Sequence, residues 1–466
     1  MTWLGRTRRV HFVGIGGSGM SGIAELIANL DYEVSGSDAK RSEVTDRLAR
    51  LGARVSIGHE AANIGDADVV VVSSAIDARN PELVEARRRL IPIIPRAEML
   101  AELMRLRFGI AVAGAHGKTT TTSMIAMMLE RAGLDPTAVI GGRLSAFGSN
   151  ARLGRGEYMV AEADESDRSF LKLSPTLAII TNIDREHLEA YGTFERVLDA
   201  FADFANRVPF YGAVIACLDD GPTASLRSRI DRRVITYGFT DGADVQGRWP
   251  VSDGVSARCE VRYALRGVPG GTGDGVLALG VPGVHNLQNA LAAVAIGLEL
   301  GVPFARIAAA LQEFRGAERR YQQRGAARGV TVIDDYGHHP TEIAAVLRAA
   351  RTGNPKRIVA VFQPHRYSRT RDLLSEFGPA LGLADVVVLT DIYAAGEAPI
   401  PGIDLAALAE ASRPAVRELH VVPSLDDVPG AVAAIACDGD LVLTLGAGSI
   451  STVADRILAA VDEVRA

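Results

Sequence analysis

A glycine turn that contains a lysine lies in the stretch IAVAGAHGKTTTTSM, residues 110–124. An apolar strand runs into Gly114, and Lys118 and Thr119 follow at the start of a predicted helix. The turn departs from the G-x-x-x-x-G-K-[ST] pattern, since Val112 stands where the first glycine belongs. A lysine here can still reach β- and γ-phosphates, and a threonine hydroxyl can bind Mg²⁺. We therefore predict an ATP-type phosphate site in this turn.

A second glycine loop lies near the start of the chain. Gly14 to Gly19 read GIGGSG, which fits G-x-G-x-x-G after a strand and before a helix, and Asp38 ends the next strand. This arrangement is typical of a dinucleotide site, in which glycines approach a pyrophosphate and the acid binds ribose. We favour a bound nucleotide over an unliganded tight turn. The motif alone does not distinguish NAD from another pyrophosphate-bridged nucleotide.

Acidic and histidine side chains follow two further predicted strands. Glu162 ends the apolar strand in EYMVAEADESD, where a Mg²⁺-binding carboxylate is expected beside a bound nucleotide. We interpret its neighbours Asp164, Glu165 and Asp167 as a solvated acidic loop. His187 follows the strand in TLAIITNID, and a lone histidine of this kind is more often structural than a ligand.

Two polar turns near the C-terminus could bind anions. DDYGHHP packs Asp335, His338 and His339 into a strand-to-helix turn. A helix cap with a hydrogen-bond network is favoured there over a metal site, because adjacent histidines in an extended turn point apart. PHRYSRT places Arg366 and Arg369 after the next strand. Two arginines at this spacing suit a carboxylate or phosphate, and a solvated basic face fits them equally well.

Apolar runs that alternate with helical patterns would position these turns. Such alternation predicts doubly wound parallel sheets. Shorter strands with Gly and Pro turns at about 206–280 predict a β-rich flank. The segments that begin VTVIDD, RIVAVF, ADVVVL and DLVLTL each predict a strand, a polar turn and a helix. We predict an α/β protein with a Rossmann-like domain at 1–107, a P-loop-type ATPase domain at 108–315 and a second Rossmann-like domain at 316–466.

Length and composition fit this organisation. The chain has 466 residues, of which 48% are hydrophobic and 23% charged, and its net charge of −6 disfavours non-specific nucleic-acid binding. Cys217, Cys259 and Cys437 lack metal or disulfide spacing, which indicates a reducing compartment. The first residues lack the apolar region of a secretory signal, and no apolar stretch is long enough to span a membrane. We predict a cytoplasmic protein whose oligomeric state the sequence does not indicate.

The motifs occur together in one order along nearly the whole chain. They are GIGGSGM, GAHGKTTTT, AEADESD, TNIDREH, GVHNLQNALAA, FRGAERRY, DDYGHHPTE and PHRYSRTRDL. The chain resembles the Mur ligase family. GIGGSGM, DDYGHHPTE and PHRYSRT are most similar to the branch that joins L-alanine to UDP-N-acetylmuramate in peptidoglycan synthesis. Ala115 and Glu186 stand where the family often has threonine and aspartate, and neither change removes an implied metal ligand.

The resemblance implies an ATP-dependent amide ligase that forms an acyl phosphate and releases ADP and phosphate. The first domain would bind the UDP of the sugar substrate, the second ATP and the third the amino acid. Catalytic roles would fall on Lys118, His187, His338 and Arg366. Mg²⁺ or Mn²⁺ would be bound by Thr119, Glu162 and His187. Some related ligases use a carbamylated lysine for the second metal, and the absence of lysine between Lys172 and Lys356 argues against that device here.

The resemblance also implies binding residues for each substrate. ATP would be bound by Gly114, Ala115, His116, Gly117, Lys118, Thr119, Thr120, His285, Asn289, Arg320 and Asp335. The UDP-sugar would be bound by Gly16, Gly17, Ser18, Gly19, Met20, Ser37, Asp38, Ser73 and Ser74. The amino acid would be bound by His338, Arg366 and Arg369.

Three alternatives remain open at this point. A murein-recycling ligase would attach a whole tripeptide to the same nucleotide sugar, and the size of the amino-acid pocket would decide between the two. Another ATP-dependent amide ligase, such as a folylpolyglutamate synthetase, is disfavoured by the GIGGSGM loop. An NAD-dependent dehydrogenase or NAD-sensing module would explain Gly14 to Asp38 but leaves GAHGKTTTT without a purpose.

Overall fold

Three sheets of five, ten and six strands form the framework of the protein. The computed structural model describes residues 4–73, 75–140 and 151–463, and at Ser18 the backbone only. Contacts divide the chain into two compact units. The first comprises Met1–Arg248, Glu260–Val276 and Gln288–Gln312, and the second Trp249–Cys259, Leu277–Leu287 and Glu313–Ala466. The predicted α/β class is confirmed, whereas the domain boundaries at 107 and 315 stay a prediction.

The first sheet is parallel throughout. Its strands are β1 (Arg9–Val13), β2 (Glu33–Asp38), β3 (Arg54–Ile57), β4 (Val69–Val72) and β5 (Ile93–Pro95). The helices between and after them are α1 (Ser18–Asn29), α2 (Glu43–Arg50), α3 (Pro81–Arg88) and α4 (Arg96–Met104). The strand order is β3-β2-β1-β4-β5, so the chain changes direction of winding beside β1. Ligands of doubly wound sheets bind at the carboxyl ends of strands at such a switch point.

The second sheet carries the lysine turn. Its strands are β6 (Phe108–Ala113), β7 (Thr137–Val139), β8 (Ala151–Arg152), β9 (Tyr158–Glu162), β10 (Leu177–Ile180), β11 (Ala213–Cys217), β12 (Val234–Gly238), β13 (Val245–Ser252), β14 (Ala257–Ala264) and β15 (Thr272–Leu279). The helices are α5 (Lys118–Arg131), α6 (Leu188–Tyr191), α7 (Phe194–Asn206), α8 (Gly221–Ser225), α9 (Val284–Glu299) and α10 (Phe304–Gln312). The order is β15-β14-β13-β12-β11-β10-β6-β9-β7-β8, and β6 pairs in parallel with β9 and β10. The predicted β-rich flank corresponds to β11–β15.

The third sheet has the order β16-β17-β21-β18-β19-β20. Its strands are β16 (Gln322–Ala327), β17 (Val330–Asp335), β18 (Arg357–Phe362), β19 (Val386–Leu389), β20 (Leu419–Val421) and β21 (Asp440–Leu445). Its helices are α11 (Pro340–Arg351), α12 (Tyr367–Asp372), α13 (Leu374–Leu381), α14 (Leu405–Ser412), α15 (Val428–Ile435) and α16 (Ala454–Glu463). Among the described strands of this sheet, β16 and β17 pair antiparallel and the other neighbours pair in parallel.

Buried apolar side chains hold the first two sheets to their helices. One cluster runs from Val10 in β1 to Phe204 in α7, and Phe170 packs within it against Phe201 and Phe204 at ring-centroid distances of 5.2 and 5.1 Å. The central strands are continuous apolar runs because helices cover both faces of a parallel sheet. Side-chain caps end the turns that lead into helices, as when Ser42 accepts a hydrogen bond from the Thr45 backbone N–H in α2.

One predicted strand–turn–helix unit is wrong. β19 is followed by residues 390–404 without a helix, and α14 begins only at Leu405, where Asp404 caps it. The segment TDIYAAGEAPIPG contains glycines and prolines, which interrupt a helix and account for the difference. Among the described residues, no helix is long and apolar enough to cross a membrane.

Gly36 in β2 gives a test of how closely the first glycine loop packs on its sheet. A Cβ at Gly36 would lie 2.6 Å from Ile15 Cδ1 and 2.7 Å from the Phe12 carbonyl oxygen. We expect Gly36→Ala to lower the free energy of unfolding by about 1–3 kcal/mol in urea denaturation, because extra atoms in a packed core force shifts. Gly221→Ala is the matched control, since nothing lies within 4 Å of its added Cβ. Equal effects of the two substitutions would contradict this packing.

Candidate active site

The lysine turn is built from two glycines that no other residue could replace without strain. Gly114 has φ +138°, and a Cβ there would lie 2.0 Å from Thr181 Oγ1. Gly117 has φ +80°, and a Cβ there would lie 2.5 Å from Asn289 Oδ1. Positive φ favours glycine, and the close neighbours exclude a side chain. Helix α5 begins directly after this turn, at Lys118, so its first backbone N–H groups face the turn.

The polar residues that follow β10 form hydrogen bonds to the same turn. The backbone N–H of His116 donates to Asn182 Oδ1 at 2.8 Å, and Thr181 Oγ1 donates to the His116 carbonyl oxygen at 2.7 Å. The ring Nε2 of His116 lies 3.0 Å from Asp184 Oδ2. His116 is therefore placed by the segment TNID, which lies next to it through the parallel pairing of β6 and β10.

The ammonium group of Lys118 is surrounded by three hydrogen-bond acceptors. Its Nζ donates to the carbonyl oxygens of Gly114 and Ala115 at 2.5 and 3.1 Å and to Glu165 Oε1 at 2.8 Å. Burial lowers the pKa of Lys118, but the charge and hydrogen bond of Glu165 together with the charges of Asp164 and Glu186 raise the pKa above its ordinary value. The ammonium group is therefore charged at neutral pH.

The interpretation of the acidic loop as solvated is wrong for two of its three residues. Glu165 is only 4% exposed and pairs with Lys118. Asp164 is half-buried, and its Oδ2 accepts from Arg96 Nη2 at 2.6 Å. Only Asp167 is exposed as expected. Residues without periodic spacing give no signal of burial, so the sequence did not reveal that this loop turns inward after β9.

His187 lies beside two buried carboxylates. Its Nε2 is 4.0 Å from Glu165 Oε1 and 3.8 Å from Glu186 Oε2, and its φ of +56° is unusual for a non-glycine residue. One ligand atom each from Glu165, Glu186 and His187 lies within 4.8 Å of the others. Glu165 Oε2 is buried and accepts no hydrogen bond from any described residue. This donor set of oxygen and imidazole nitrogen atoms fits Mg²⁺ or Mn²⁺.

The first glycine loop is also fixed by the strand that follows it. The Gly16 backbone N–H donates to Asp38 Oδ2 at 2.8 Å, and Ser37 Oγ donates to Glu82 Oε2 at 2.7 Å. Met20 is buried and Ser73 is half-buried. Of the other residues predicted here, the Ser18 side chain and all of Ser74 lie outside the described residues.

A cavity of about 220 Å³ lies between the two loops within the first unit. Gly19 and Ile23 of α1 line one side, and Lys118, Glu162 and Asp164 line the other. One residue from each glycine loop, Gly19 from the first and Lys118 from the second, therefore lines the same cavity. Its wall also contains Ala97, Leu100, Val139, Ile140, Ser169, Phe170 and Leu173.

Arg96 is a site residue that the sequence analysis missed. It begins α4 after β5, lines the cavity, and its Nη1 lies 2.0 Å from where a Cβ at Gly19 would stand. The last glycine of the GIGGSG loop, Gly19, is therefore needed to admit this guanidinium group. An arginine at a strand-to-helix junction in IPIIPRAEML was the available signal, and without a motif around it nothing distinguished it from surface arginines.

The second unit brings its predicted polar residues together after β17. Asp335 accepts from the backbone N–H groups of Gly337 and Tyr321, both at 2.7 Å, and Arg320 Nη1 lies 3.4 Å from Glu342 Oε1. Burial raises the pKa of Asp335 to about 6. Burial, together with Arg320, lowers the pKa of His285 to about 4, so its ring is neutral at physiological pH.

The two histidines of DDYGHHP point apart, as predicted. His339 caps α11 and is buried, whereas His338 Nδ1 lies 3.0 Å from the Tyr336 carbonyl oxygen. The ring of His338 packs against that of His365 at a centroid distance of 5.7 Å. The backbone N–H groups of both histidines donate to Glu342 Oε2, whereas their rings have different neighbours.

The arginines of PHRYSRT adjoin this histidine pair. Arg369 Nη1 lies 3.2 Å from His365 Nδ1, and Arg366 Nη1 lies 3.7 Å from Glu397 Oε1. Burial and then the charges of His338 and Arg369 lower the pKa of His365 to about 3. Arg366 has φ +72° and ψ 140°, a conformation that costs about 1–3 kcal/mol and occurs at functional sites. The cluster is positively charged and suits a carboxylate or phosphate.

Sequence relatives are similar over nearly the entire chain. UDP-N-acetylmuramate–L-alanine ligase of Geobacter sulfurreducens is 51% identical over 464 residues, which cover 99% of each chain. That of Acidobacterium capsulatum is 55% identical over 455 residues, 97% of each chain. The chain belongs to the Mur ligase family. The family's catalytic-domain, middle-domain and glutamate-ligase-domain descriptions match this Mur ligase at residues 9–108, 112–297 and 319–448.

Solved structures agree with this assignment. The structure of UDP-N-acetylmuramate–alanine ligase from Thermotoga maritima is similar to this Mur ligase with a TM-score of 0.81 at 30% identity, covering 98% of this chain and 99% of that one. A murein peptide ligase from Psychrobacter arcticus is similar with a TM-score of 0.73 at 26% identity, with the same coverage. The resemblance inferred from the motifs is confirmed.

The buried Asp335 predicts a pH dependence of stability. Its native pKa of about 6 lies above its ordinary value of 3.8, so the native state holds the proton more tightly than the unfolded chain. Its contribution to stability is complete below the unfolded pKa and is lost as the pH rises to the native pKa. We expect the unfolding free energy of wild type relative to Asp335→Asn to fall between about pH 4 and 6, by at most about 1.4 kcal/mol per pH unit. Urea denaturation of both proteins across this range measures it, and a difference independent of pH would contradict the shift.

Proposed function

We propose that this Mur ligase joins L-alanine to the carboxylate of UDP-N-acetylmuramate with consumption of ATP, as a step of peptidoglycan precursor synthesis. The observation that carries the proposal is the 51% identity to the Geobacter sulfurreducens enzyme over 99% of both chains. The two glycine loops that face one cavity support it, because the reaction needs one site for a nucleotide sugar and another for ATP. We place the reaction in the cytoplasm, where ATP is available.

The proposed chemistry has two steps. The muramate carboxylate attacks the γ-phosphorus of ATP, so that an acyl phosphate forms and ADP leaves. The amine of L-alanine then attacks the acyl carbon, loses a proton and expels inorganic phosphate. Phosphorylation is needed because an amine does not displace an unactivated carboxylate oxygen at neutral pH. Positioning and charge stabilisation of the phosphoryl group are the main tasks of such a site.

ATP is assigned to the lysine turn and, by resemblance to the family, to further residues of the chain. Lys118 would brace the transferring phosphoryl group, and the N–H groups at the start of α5 would hold the other phosphates. The remaining ATP residues are Gly114, Ala115, His116, Gly117, Thr119, Thr120, His285 and Asn289, with Arg320 and Asp335 from the C-terminal domain.

Mg²⁺ or Mn²⁺ would be held by Thr119, Glu162 and His187. The cluster of Glu165, Glu186 and His187 supports the role of His187 and would add two further carboxylates. The bound cation would neutralise phosphate charge beside Lys118. His187 is held in place by its backbone conformation and by Glu189, whose Oε1 lies 3.6 Å from Nδ1.

The nucleotide sugar and the amino acid are assigned to the other two regions. Arg96, which lines the cavity, is added to the UDP-sugar residues Gly16, Gly17, Ser18, Gly19, Met20, Ser37, Asp38, Ser73 and Ser74. His338, Arg366 and Arg369 would bind the carboxylate of L-alanine and the acyl phosphate. Arginine suits this role because its planar fork matches a carboxylate.

Phosphate release tests the activity directly. We expect release from Mg-ATP with UDP-N-acetylmuramate to depend on L-alanine, measured beside glycine, serine and a tripeptide as acceptors. A murein peptide ligase is also similar in structure, at 26% identity, so the tripeptide is the necessary comparison. Phosphate release with the tripeptide alone would overturn the L-alanine assignment.

The division of labour between the two loops gives a second test. We expect Lys118→Arg to abolish turnover while leaving the dissociation constant for UDP-N-acetylmuramate within about twofold, since a planar guanidinium does not replace a compact ammonium at a phosphate. Arg96→Ala is the reciprocal variant and should weaken binding of the nucleotide sugar while ATP binding is kept. Calorimetry with each ligand separates the effects, and loss of nucleotide-sugar binding in Lys118→Arg would contradict the assignment.

A further inference from the structure

The ammonium group of Lys118 is fully occupied in this structure. An ammonium has three N–H donors, and Gly114, Ala115 and Glu165 supply three acceptors within 3.1 Å. A phosphate oxygen can therefore bind Lys118 only if one of these acceptors gives up its hydrogen bond. The two carbonyl groups belong to the turn itself, so the Glu165 carboxylate is the partner that a side-chain movement can release.

The backbone of Glu165 is anchored by two hydrogen bonds to its carbonyl oxygen. Its carbonyl oxygen accepts from the buried Tyr191 hydroxyl at 2.6 Å and from the Arg168 backbone N–H at 3.0 Å. Its side chain is 5% exposed, compared with 18% for that of Lys118. The backbone that carries this carboxylate is thus anchored, and the side chain is largely shielded from solvent.

A phosphate that reaches Lys118 meets a carboxylate at short range. Glu165 Oε1 is 2.8 Å from the nitrogen that a phosphate must contact, and Asp164 and Glu186 also act on the charge of Lys118. Like charges in a site of low dielectric constant repel strongly. Nucleotide binding therefore requires that the charge of Glu165 be neutralised or that its side chain move away.

Possible ligands of a cation surround the same carboxylate, since His187 Nε2 lies 4.0 Å from Glu165 Oε1, the oxygen that accepts from Lys118. Glu165 Oε2 is buried without a hydrogen-bond partner among the described residues, and His187 and Glu186 stand within ligand distance of this group. A cation bound there would engage Glu165 and so free a donor of Lys118 for phosphate. The same side chain thus connects the two binding events.

We propose that Glu165 is a positioning residue whose hydrogen bond to Lys118 makes nucleotide binding at Lys118 depend on a divalent cation. The inference rests on the proposed function, which places ATP at this loop. It predicts that the binding free energies of ATP and Mg²⁺ are coupled and that this coupling depends on the carboxylate of Glu165.

Affinity for ATP with and without Mg²⁺ measures this coupling. We expect wild type to bind ATP much more tightly in Mg²⁺ than in EDTA, by about 5- to 150-fold. Glu165→Gln keeps the size of the side chain and removes its charge, so it should bind ATP more tightly than wild type in EDTA and lose most of the dependence on Mg²⁺. Asp167→Asn is the matched control, because it removes an exposed charge from the same loop without touching Lys118, and it should behave as wild type. Calorimetry in the absence of UDP-N-acetylmuramate and L-alanine measures the binding of ATP without turnover.

Each result bears on the proposal. If Glu165→Gln weakens ATP binding equally in EDTA and Mg²⁺, Glu165 orders Lys118 for the nucleotide and the proposal is overturned; an unchanged dependence on Mg²⁺ also overturns it. The wild-type measurement stands even if the variant does not fold, since equal affinity in EDTA and Mg²⁺ is incompatible with the proposal. Failure of wild type to bind ATP at all in Mg²⁺ would instead contradict the proposed function.

Discussion

Repulsion between the anionic substrates is the main physical constraint on this candidate site. In the proposed reaction a carboxylate approaches a triphosphate beside a nucleotide diphosphate, and charges of one sign repel strongly where water is excluded. The cavity is lined by the cationic residues Lys118 and Arg96, and Gly19 and Lys118 belong to the first turns of α1 and α5. Both cations already have a carboxylate partner in this structure, Glu165 for Lys118 and Asp164 for Arg96. The adjacent residues Asp164 and Glu165 thus form ion pairs with the two cationic residues that line the cavity, Arg96 and Lys118.

Parallel sheets explain how two glycine loops come to face one cavity. Each loop leaves the carboxyl end of a central strand, β1 or β6, and enters the first turn of a helix. The first turns of helices α1 and α5, each with free N–H groups and the positive end of a helix dipole, contribute Gly19 and Lys118 to this cavity. A continuous apolar core from β1 to α7 fixes the two sheets within one unit, so the spacing of the loops follows from packing.

The motif residues were predictable because each has a local reason for its type. Gly114 and Gly117 need positive φ, Lys118 begins a helix after a glycine turn, and His339 caps α11. Arg96 and Glu165 were not predictable in this way. Arg96 enters the site from a helix that follows a different strand, and Glu165 looked like one of several solvated acids. Their roles depend on neighbours distant in sequence, Gly19 for the first and Lys118 for the second.

The sequence by itself determined the α/β class, the positions of both glycine loops, the order of motifs and the family, because periodic apolar runs and glycine turns are local properties of the chain. The tertiary structure alone decided which charges meet. It turned the loop after β9 inward, so that Glu165 reached Lys118 and His187, and it brought Arg96 over Gly19. Such contacts join residues that are far apart along the chain, and their energies depend on burial, which spacing in a sequence does not encode.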